Sequence, residues 1–258
     1  MDDYISFITK MHQKLGLDLS LYKEAQMKRR LTSLRDKRGF SDFDMYYNGI
    51  QKDKVLLEEF VDRITINVSE FYRNPARWKV LEQNVIPELI KEKKVLHIWS
   101  AACSTGEEPY SLLMLFQDHF PGIKVKITAT DIDEKILKRA QQGIYKPQSL
   151  KDLPEEKKSK YFIFKDGLYF INNDLKKQVT FKKHNLLNDP YPTNIDMIVC
   201  RNVLIYFTDP AKDSVYKAFS KALSPGGMLF VGSTEQIFNP QDYALELYDT
   251  FFYRKLMD

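Results

Sequence analysis

Cysteine is nearly missing from this chain. Its 258 residues hold two, Cys103 and Cys200, too few for a disulfide framework. Histidine is scarce as well: His12, His97, His119 and His184 are scattered, and neither they nor the cysteines fall at metal-ligand spacing. A metal site is therefore not expected. No apolar run approaches the length that crosses a bilayer, and the N-terminus has no signal-peptide core, so the expected setting is the cytoplasm. A strong charge of one sign is absent too. The 39 basic and 35 acidic side chains leave +4, too mild to imply a nucleic-acid partner. What remains is ordinary for a soluble globular protein, with 43% hydrophobic and 29% charged residues and enough length for one large or two modest domains.

Residues 1 to about 70 contain little glycine, and apolar side chains recur at helical spacing, as in Tyr4, Phe7, Ile8, Met11 and Leu15. This region reads as an all-α N-terminal domain. Between Leu21 and Arg38 there are seven Lys or Arg against two acids. Met27, Leu31 and Leu34 make a narrow apolar stripe, flanked by Lys23, Arg30 and Lys37 on one side and by Lys28 and Arg35 on the other. Such a helix is either a solvated face whose lysine stems cover the core or a docking surface for an acidic partner helix. Gly39 suits its C-terminal end. A further helix over about 53–66 runs into the polar, aromatic segment Asn67-Val-Ser-Glu-Phe-Tyr-Arg-Asn-Pro75, of the kind that lines sites.

From residue 94 strands and helices alternate, which predicts a parallel sheet covered by helices. Strands are expected at 95–99, 124–130, 179–183, 195–200 and 228–231, and one terminal antiparallel strand over 244–254. The helix at 210–223 leads to Ser224-Pro-Gly-Gly227. Residues 144–178 interrupt the alternation. Two aromatic runs flank Lys165-Asp-Gly167, a hairpin signal that predicts a small β insertion at the sheet edge.

The decisive stretch is Val95 to Ser111: an apolar strand, then the small residues Ser100 to Gly106, then a helix start with Pro109 in its first turn. This is the first unit of a nucleotide-binding α/β sheet. The glycine signature Gly-x-Gly-x-x-Gly is absent, since Ala102 and Ser104 replace glycines. In its place Glu107 and Glu108 stand at the helix start, where a diphosphate would want bare N–H groups and no anion. The glutamates either meet a cationic amino group or merely complement the helix dipole. Asp131 follows Gly106 by about 25 residues, near the position of a ribose-binding carboxylate; alternatively it caps the helix over 133–142.

These residues carry a resemblance. The terminal antiparallel strand and Leu223-Ser-Pro-Gly-Gly resemble a class I S-adenosylmethionine-dependent methyltransferase. More narrowly, Ser100-Ala-Ala-Cys-Ser-Thr-Gly-Glu-Glu-Pro-Tyr-Ser111, Ala129-Thr-Asp-Ile-Asp133 and Cys200-Arg-Asn-Val-Leu-Ile-Tyr-Phe207 resemble the CheR-type chemotaxis receptor methyltransferases. Asn67-Val-Ser-Glu-Phe-Tyr-Arg73 and the basic N-terminal region extend the match to nearly the full length.

The resemblance implies an α/β fold: a Rossmann-like seven-stranded methyltransferase sheet with a small β insertion (144–178) in a domain over 71–258, and an all-α receptor-docking domain over 1–70. It implies S-adenosylmethionine as cofactor and S-adenosylhomocysteine as product. Glu108 would hold the cofactor's amino group, with Glu107 the alternative, and Asp131 its ribose hydroxyls. Asn185 and Leu186 would border the adenine, and Asn202 and Val203 would continue that wall. Asn67, Ser69 and Arg73 would close over the cofactor, with Arg73 and Tyr206 nearest the transferred methyl as the catalytic pair. The implied substrate is a glutamate side chain on the cytoplasmic helices of membrane chemoreceptors, reached through the basic helix around Lys23 to Arg38, and the product a γ-methyl ester.

The chemistry needs no general base, because a glutamate of pKa about 4.3 is ionised at neutral pH. The site must desolvate that carboxylate and hold it in line. Arg73 can orient it by a two-pronged hydrogen bond, and Tyr206 can donate from the other side. Alternatives with a bland role are a surface ion pair between Arg73 and Glu70, and a core Tyr206. Three competing functions stand beside this one. A base-amino methyltransferase would need Asp/Asn-Pro-Pro-aromatic where Arg201-Asn-Val-Leu204 stands. An oxidoreductase is disfavoured by the acidic helix start, and a silent cofactor-binding module by Arg73 and Tyr206. The hairpin loop is only Lys165-Asp-Gly167, so binding of a receptor-tail peptide at the insertion is not carried over.

Overall fold

The computed structural model describes residues 3–65 and 69–257. The chain divides into two units, residues 1–67 with 204–215, and residues 68–203 with 216–258.

The first unit is helical: α1 (Asp3–Leu15), α2 (Glu24–Lys37), α3 (Phe43–Lys52) and α4 (Lys54–Ile64). Asp42 and Asp53 cap α3 and α4 by accepting from the N–H groups of Met45 and Val55. The core is aromatic. Phe7 packs on Phe43, Tyr46 and Phe60 at centroid distances of 5.0, 5.6 and 5.8 Å. The stripe Met27, Leu31 and Leu34 of α2 is buried, each side chain contributing on the order of 1.5–3 kcal/mol. The basic flanks divide unevenly. Lys28 lies over the Tyr4 ring and Arg35 over the Phe43 ring, so these two cations pack on the core instead of standing free. Arg29 and Lys37 are exposed.

The second unit begins with α5 (Pro75–Val80), a π-helical turn, Leu81–Val85, and α6 (Ile86–Leu89). It continues with β1 (Val95–Ala101), α7 (Glu107–His119), β2 (Lys124–Asp131) and α8 (Glu134–Gln142). The insertion follows: β3 (Ile144–Tyr145), α9 (Glu155–Tyr161), β4 (Phe162–Lys165), β5 (Leu168–Ile171) and α10 (Asn173–Lys176). Then come β6 (Val179–Lys183), β7 (Ile195–Cys200), α11 (Asp209–Ala222), whose residues up to Val215 count with the first unit, β8 (Leu223–Val231), β9 (Leu245–Asp249) and β10 (Phe252–Lys255).

The main sheet has seven strands in the order β6-β2-β1-β7-β8-β10-β9. The first five run parallel, and β10 pairs antiparallel with both β8 and β9. β7 is buried at every residue, as a central parallel strand should be. The order reverses between β1 and β7, and in such sheets ligands bind beyond the carboxyl ends at that switch point.

Two expectations need correction. The single terminal strand is a hairpin: β9 and β10 are joined through Thr250 and Phe251, with Phe251 in the left-handed region at φ 72°. That turn carries no glycine to announce it. The insertion is not an extension of the main sheet but a separate three-stranded sheet, β3-β5-β4. Its turn, Asp166-Gly167, has positive φ at both residues, the geometry the Asp-Gly pair predicts. The insertion is tied to α7 through Asp118, which accepts from Tyr161 Oη at 2.6 Å and Lys160 Nζ at 2.7 Å.

Candidate cofactor and active site

Several polar residues that the second unit buries, Ser100, Thr130, Asp131 and Arg201 among them, lie at or just beyond the carboxyl ends of β1, β2 and β7. After β1 the chain turns through Ala102, Ser104 and Gly106, all at positive φ. At Gly106 a Cβ would lie 3.1 Å from Ala140 Cβ and from the Tyr110 ring, so the turn needs glycine for space as well as for φ. The turn delivers two glutamates to the start of α7.

Glu108 has a side chain 13% exposed. Ser100 Oγ donates to its Oε1 at 2.7 Å, and Arg201 Nη1 stands 4.0 Å from its Oε2. Burial raises its pKa to about 7, against the opposing pull of Arg201, Ser100 and Arg73. Such a carboxyl gains from a cationic ligand that restores its charge.

Glu107 has a different occupation. It is buried at 2% exposure and accepts from Thr105 Oγ1 and from the hydroxyls of Ser69 and Ser149. Its pKa is also raised by burial, with those hydroxyls pulling it down. It ties the β1 turn to the 69–73 segment and to the insertion. Ser69, expected at the cofactor, is engaged with it.

Asp131 ends β2, 7% exposed. Its Oδ2 accepts the Ser104 N–H at 2.9 Å and its Oδ1 the Asp133 N–H at 3.1 Å. Burial raises its pKa, opposed by those N–H groups. It is not the helix cap considered from the sequence. Asp133 caps α8, accepting from Lys135 and Ile136 N–H groups, so the Asp131 carboxylate is left to face the strand ends. Beside it Ser104 Oγ is buried without a hydrogen-bond partner.

Arg73 stands between Tyr72 at φ 52° and Asn74 at φ 61°, two left-handed residues around one side chain, as strained segments at functional sites are. Its carbonyl accepts from Arg201 Nη2 at 2.9 Å and Trp78 Nε1 at 3.0 Å. Glu70 pairs with Lys151 Nζ at 2.7 Å. Arg201, not singled out from the sequence, is 8% exposed, stacks on Phe230 with its guanidinium 4.6 Å from the ring centroid, and has its pKa lowered by burial. Its Nε has no hydrogen-bond partner.

After β6, the His184 N–H donates to the Asp131 carbonyl at 2.9 Å, which places Asn185 and Leu186 beside the end of β2. Asn185 Oδ1 accepts the Leu187 N–H, and the Leu186 carbonyl accepts from Tyr191 Oη. Asn202 and Val203, half-buried after β7, form another corner, Asn202 at φ 62°. Asn67 lies outside the described residues. Tyr206 belongs to the first unit, where its carbonyl accepts the Lys23 N–H at 2.9 Å and Arg30 lies over its ring.

Comparison with known proteins matches two family models to successive parts of the chain. The model described as "CheR methyltransferase, SAM binding domain" matches residues 67–251, and "CheR methyltransferase, all-alpha domain" matches residues 2–65. The chain belongs to the CheR methyltransferase family. Chemotaxis protein methyltransferases of Listeria monocytogenes and Listeria innocua are 45% and 46% identical to it over 254 residues, 98% of this chain and 97% of theirs. The Escherichia coli chemotaxis protein methyltransferase is 32% identical, covering 87% of this chain and 81% of its own.

As a CheR-family protein the chain is an S-adenosylmethionine-dependent methyltransferase. The residues present fit that cofactor. Glu108 is a largely enclosed carboxyl with a raised pKa and Arg201 Nη1 4.0 Å away, Asp131 offers carboxylate lone pairs for hydroxyls, and Ser104 Oγ and Arg201 Nε, both without hydrogen-bond partners, follow β1 and β7. Two anions at the strand ends would repel a diphosphate.

Proposed function

We propose that this protein methylates glutamate side chains on the cytoplasmic helices of membrane chemoreceptors, forming γ-methyl esters in chemotaxis. The names of its full-length relatives support the chemotactic setting. The observation that carries the carboxylate specificity is Arg73, whose carbonyl accepts from Arg201 Nη2 and whose positive charge acts on Glu108.

S-adenosylmethionine supplies an electrophilic methyl group when bound. Glu108 would hold its ammonium, Asp131 its ribose hydroxyls, and Asn185, Leu186, Asn202 and Val203 its adenine. The chain's own task in the chemistry is orientation. Arg73 presents two parallel N–H donors to the incoming glutamate and strips water from it. Tyr206 is assigned a donor role on its sequence motif. No proton has to be removed, because the substrate carboxyl is already ionised at neutral pH.

The receptor would be engaged by the exposed basic residues of α2. Among the described residues no helix is long and apolar enough to cross a membrane; the proposed location is the cytoplasm, facing the receptor's cytoplasmic end. Labelled methyl transfer to a receptor cytoplasmic fragment, followed by peptide mapping, tests this. Label on glutamate is expected; label on a nitrogen side chain refutes it.

A further inference from the structure

Glu235, four residues past the end of β8, is one of the few buried charged side chains of the second unit, at 4% exposure. β7 and β8 are paired in parallel up to Cys200 and Val231. Immediately beyond, both chains leave the sheet, and the Glu235 carboxylate fills the junction. Its Oε2 accepts the N–H of Gly232 at 2.8 Å and of Asn202 at 2.6 Å, and its Oε1 accepts the N–H of Val203 at 2.7 Å.

Two further facts make this a built device. A Cβ at residue 232 would stand 2.3 Å from Glu235 Oε2 and 2.9 Å from the Asn202 nitrogen, so glycine is required there for space alone. Asn202 is left-handed at φ 62°, a conformation that needs holding. The charge also reaches the site: Glu235 acts electrostatically on both Arg201 and Glu108.

We infer that Glu235 is a positioning residue, whose carboxylate locks the Arg201–Val203 corner and so fixes the Arg201 guanidinium and the Asn202–Val203 wall against the cofactor. The inference rests on the methyltransferase reading. A carboxylate is the one side chain that offers acceptors on both prongs. Glutamine must turn its NH₂ toward at least one backbone N–H, and aspartate is a methylene too short to span the junction. The corner then relaxes, and a supporting shell left loose by about 1 Å is enough to weaken a site severely.

The test uses the full-length protein. Calorimetry measures S-adenosylhomocysteine affinity for wild type, Glu235→Gln, Glu235→Asp and a control, Asp196→Asn. Asp196 is also a buried carboxylate that accepts a backbone N–H, from His97 at 2.8 Å, but it sits at the other end of β7. Thermal melting gives each variant's stability without ligand.

The expected result is an affinity loss of about tenfold or more for both Glu235 variants, and a matching rise in KM for S-adenosylmethionine with KM for the receptor unchanged. Asp196→Asn should lower the melting temperature and leave affinity near wild type. A loss below tenfold, or one that Asp196→Asn matches, overturns the inference. Should Glu235→Gln not fold, Glu235→Asp carries the same criterion. Wild type that fails to bind S-adenosylhomocysteine would instead sink the cofactor reading itself.

Discussion

Glu108 makes cofactor affinity a function of pH, and the sign follows from its burial. The ordinary carboxyl value of 4.5 is raised to about 7 in the ligand-free protein. A raised carboxyl pKa works against the fold as pH climbs from about 4.5 to about 7, because over that window the unfolded chain gives up the proton while the folded state still holds it. An ammonium ligand relieves the penalty, yet below pH 7 it must first displace the proton. Each pH unit below 7 should therefore cost about 1.4 kcal/mol, close to tenfold in affinity, and the loss should level off above it. S-adenosylhomocysteine titrations between pH 6 and 8, repeated in buffers of different ionisation enthalpy, report both the affinity and the protons released. Release should approach one proton at pH 6 and fade above pH 7. Glu108→Gln should bind weakly at every pH in this window, with little slope. A wild-type affinity that is flat from pH 6 to 7, or a slope that survives in Glu108→Gln, refutes the assignment of Glu108 to the ammonium.

Asp131→Ala should abolish S-adenosylhomocysteine binding, since two charge-assisted hydrogen bonds of about 1.5–3 kcal/mol each would be lost; unchanged calorimetric affinity removes the ribose role. Arg73→Ala should lower kcat on receptor fragments by on the order of a hundredfold at saturating S-adenosylmethionine while receptor binding persists, with Arg73→Lys a partial rescue at best. Normal turnover in Arg73→Ala would contradict the orienting role. For the receptor surface, Arg29→Glu with Lys37→Glu is the informative reversal, because both side chains are exposed, whereas Lys28 and Arg35 pack on Tyr4 and Phe43. Methylation should fall most at low salt with cofactor affinity unchanged, and indifference at every ionic strength would make α2 a solvated face.

Much of the fold was legible because burial leaves a period. The run Ile195–Cys200, apolar but for Asp196, reads as a central strand, and Asp131 could be placed at a strand end by the run before it. The terminal hairpin was not legible, since its turn takes positive φ at Phe251, a residue with no turn preference. The separate insertion sheet depends on β3, two residues long, below any periodic signal. The site shows the same limit. Small residues and paired glutamates mark a ligand turn, but nothing local distinguishes Glu107, which takes hydroxyls from three segments, from Glu108, which faces Arg201. Arg201 and Glu235 acquire their surroundings only when β7 and β8 pair and their ends meet. Their neighbours in space are distant in sequence.

The central claim is that the product is a carboxyl ester, and its chemical lability tests this most directly. A receptor cytoplasmic fragment methylated by this protein from methyl-labelled S-adenosylmethionine is exposed to mild base, and the volatile label is collected. The account predicts that the label leaves as methanol and that the fragment regains free glutamate. Label that stays on the protein through base treatment would contradict it, because an N-methyl group persists where an ester does not.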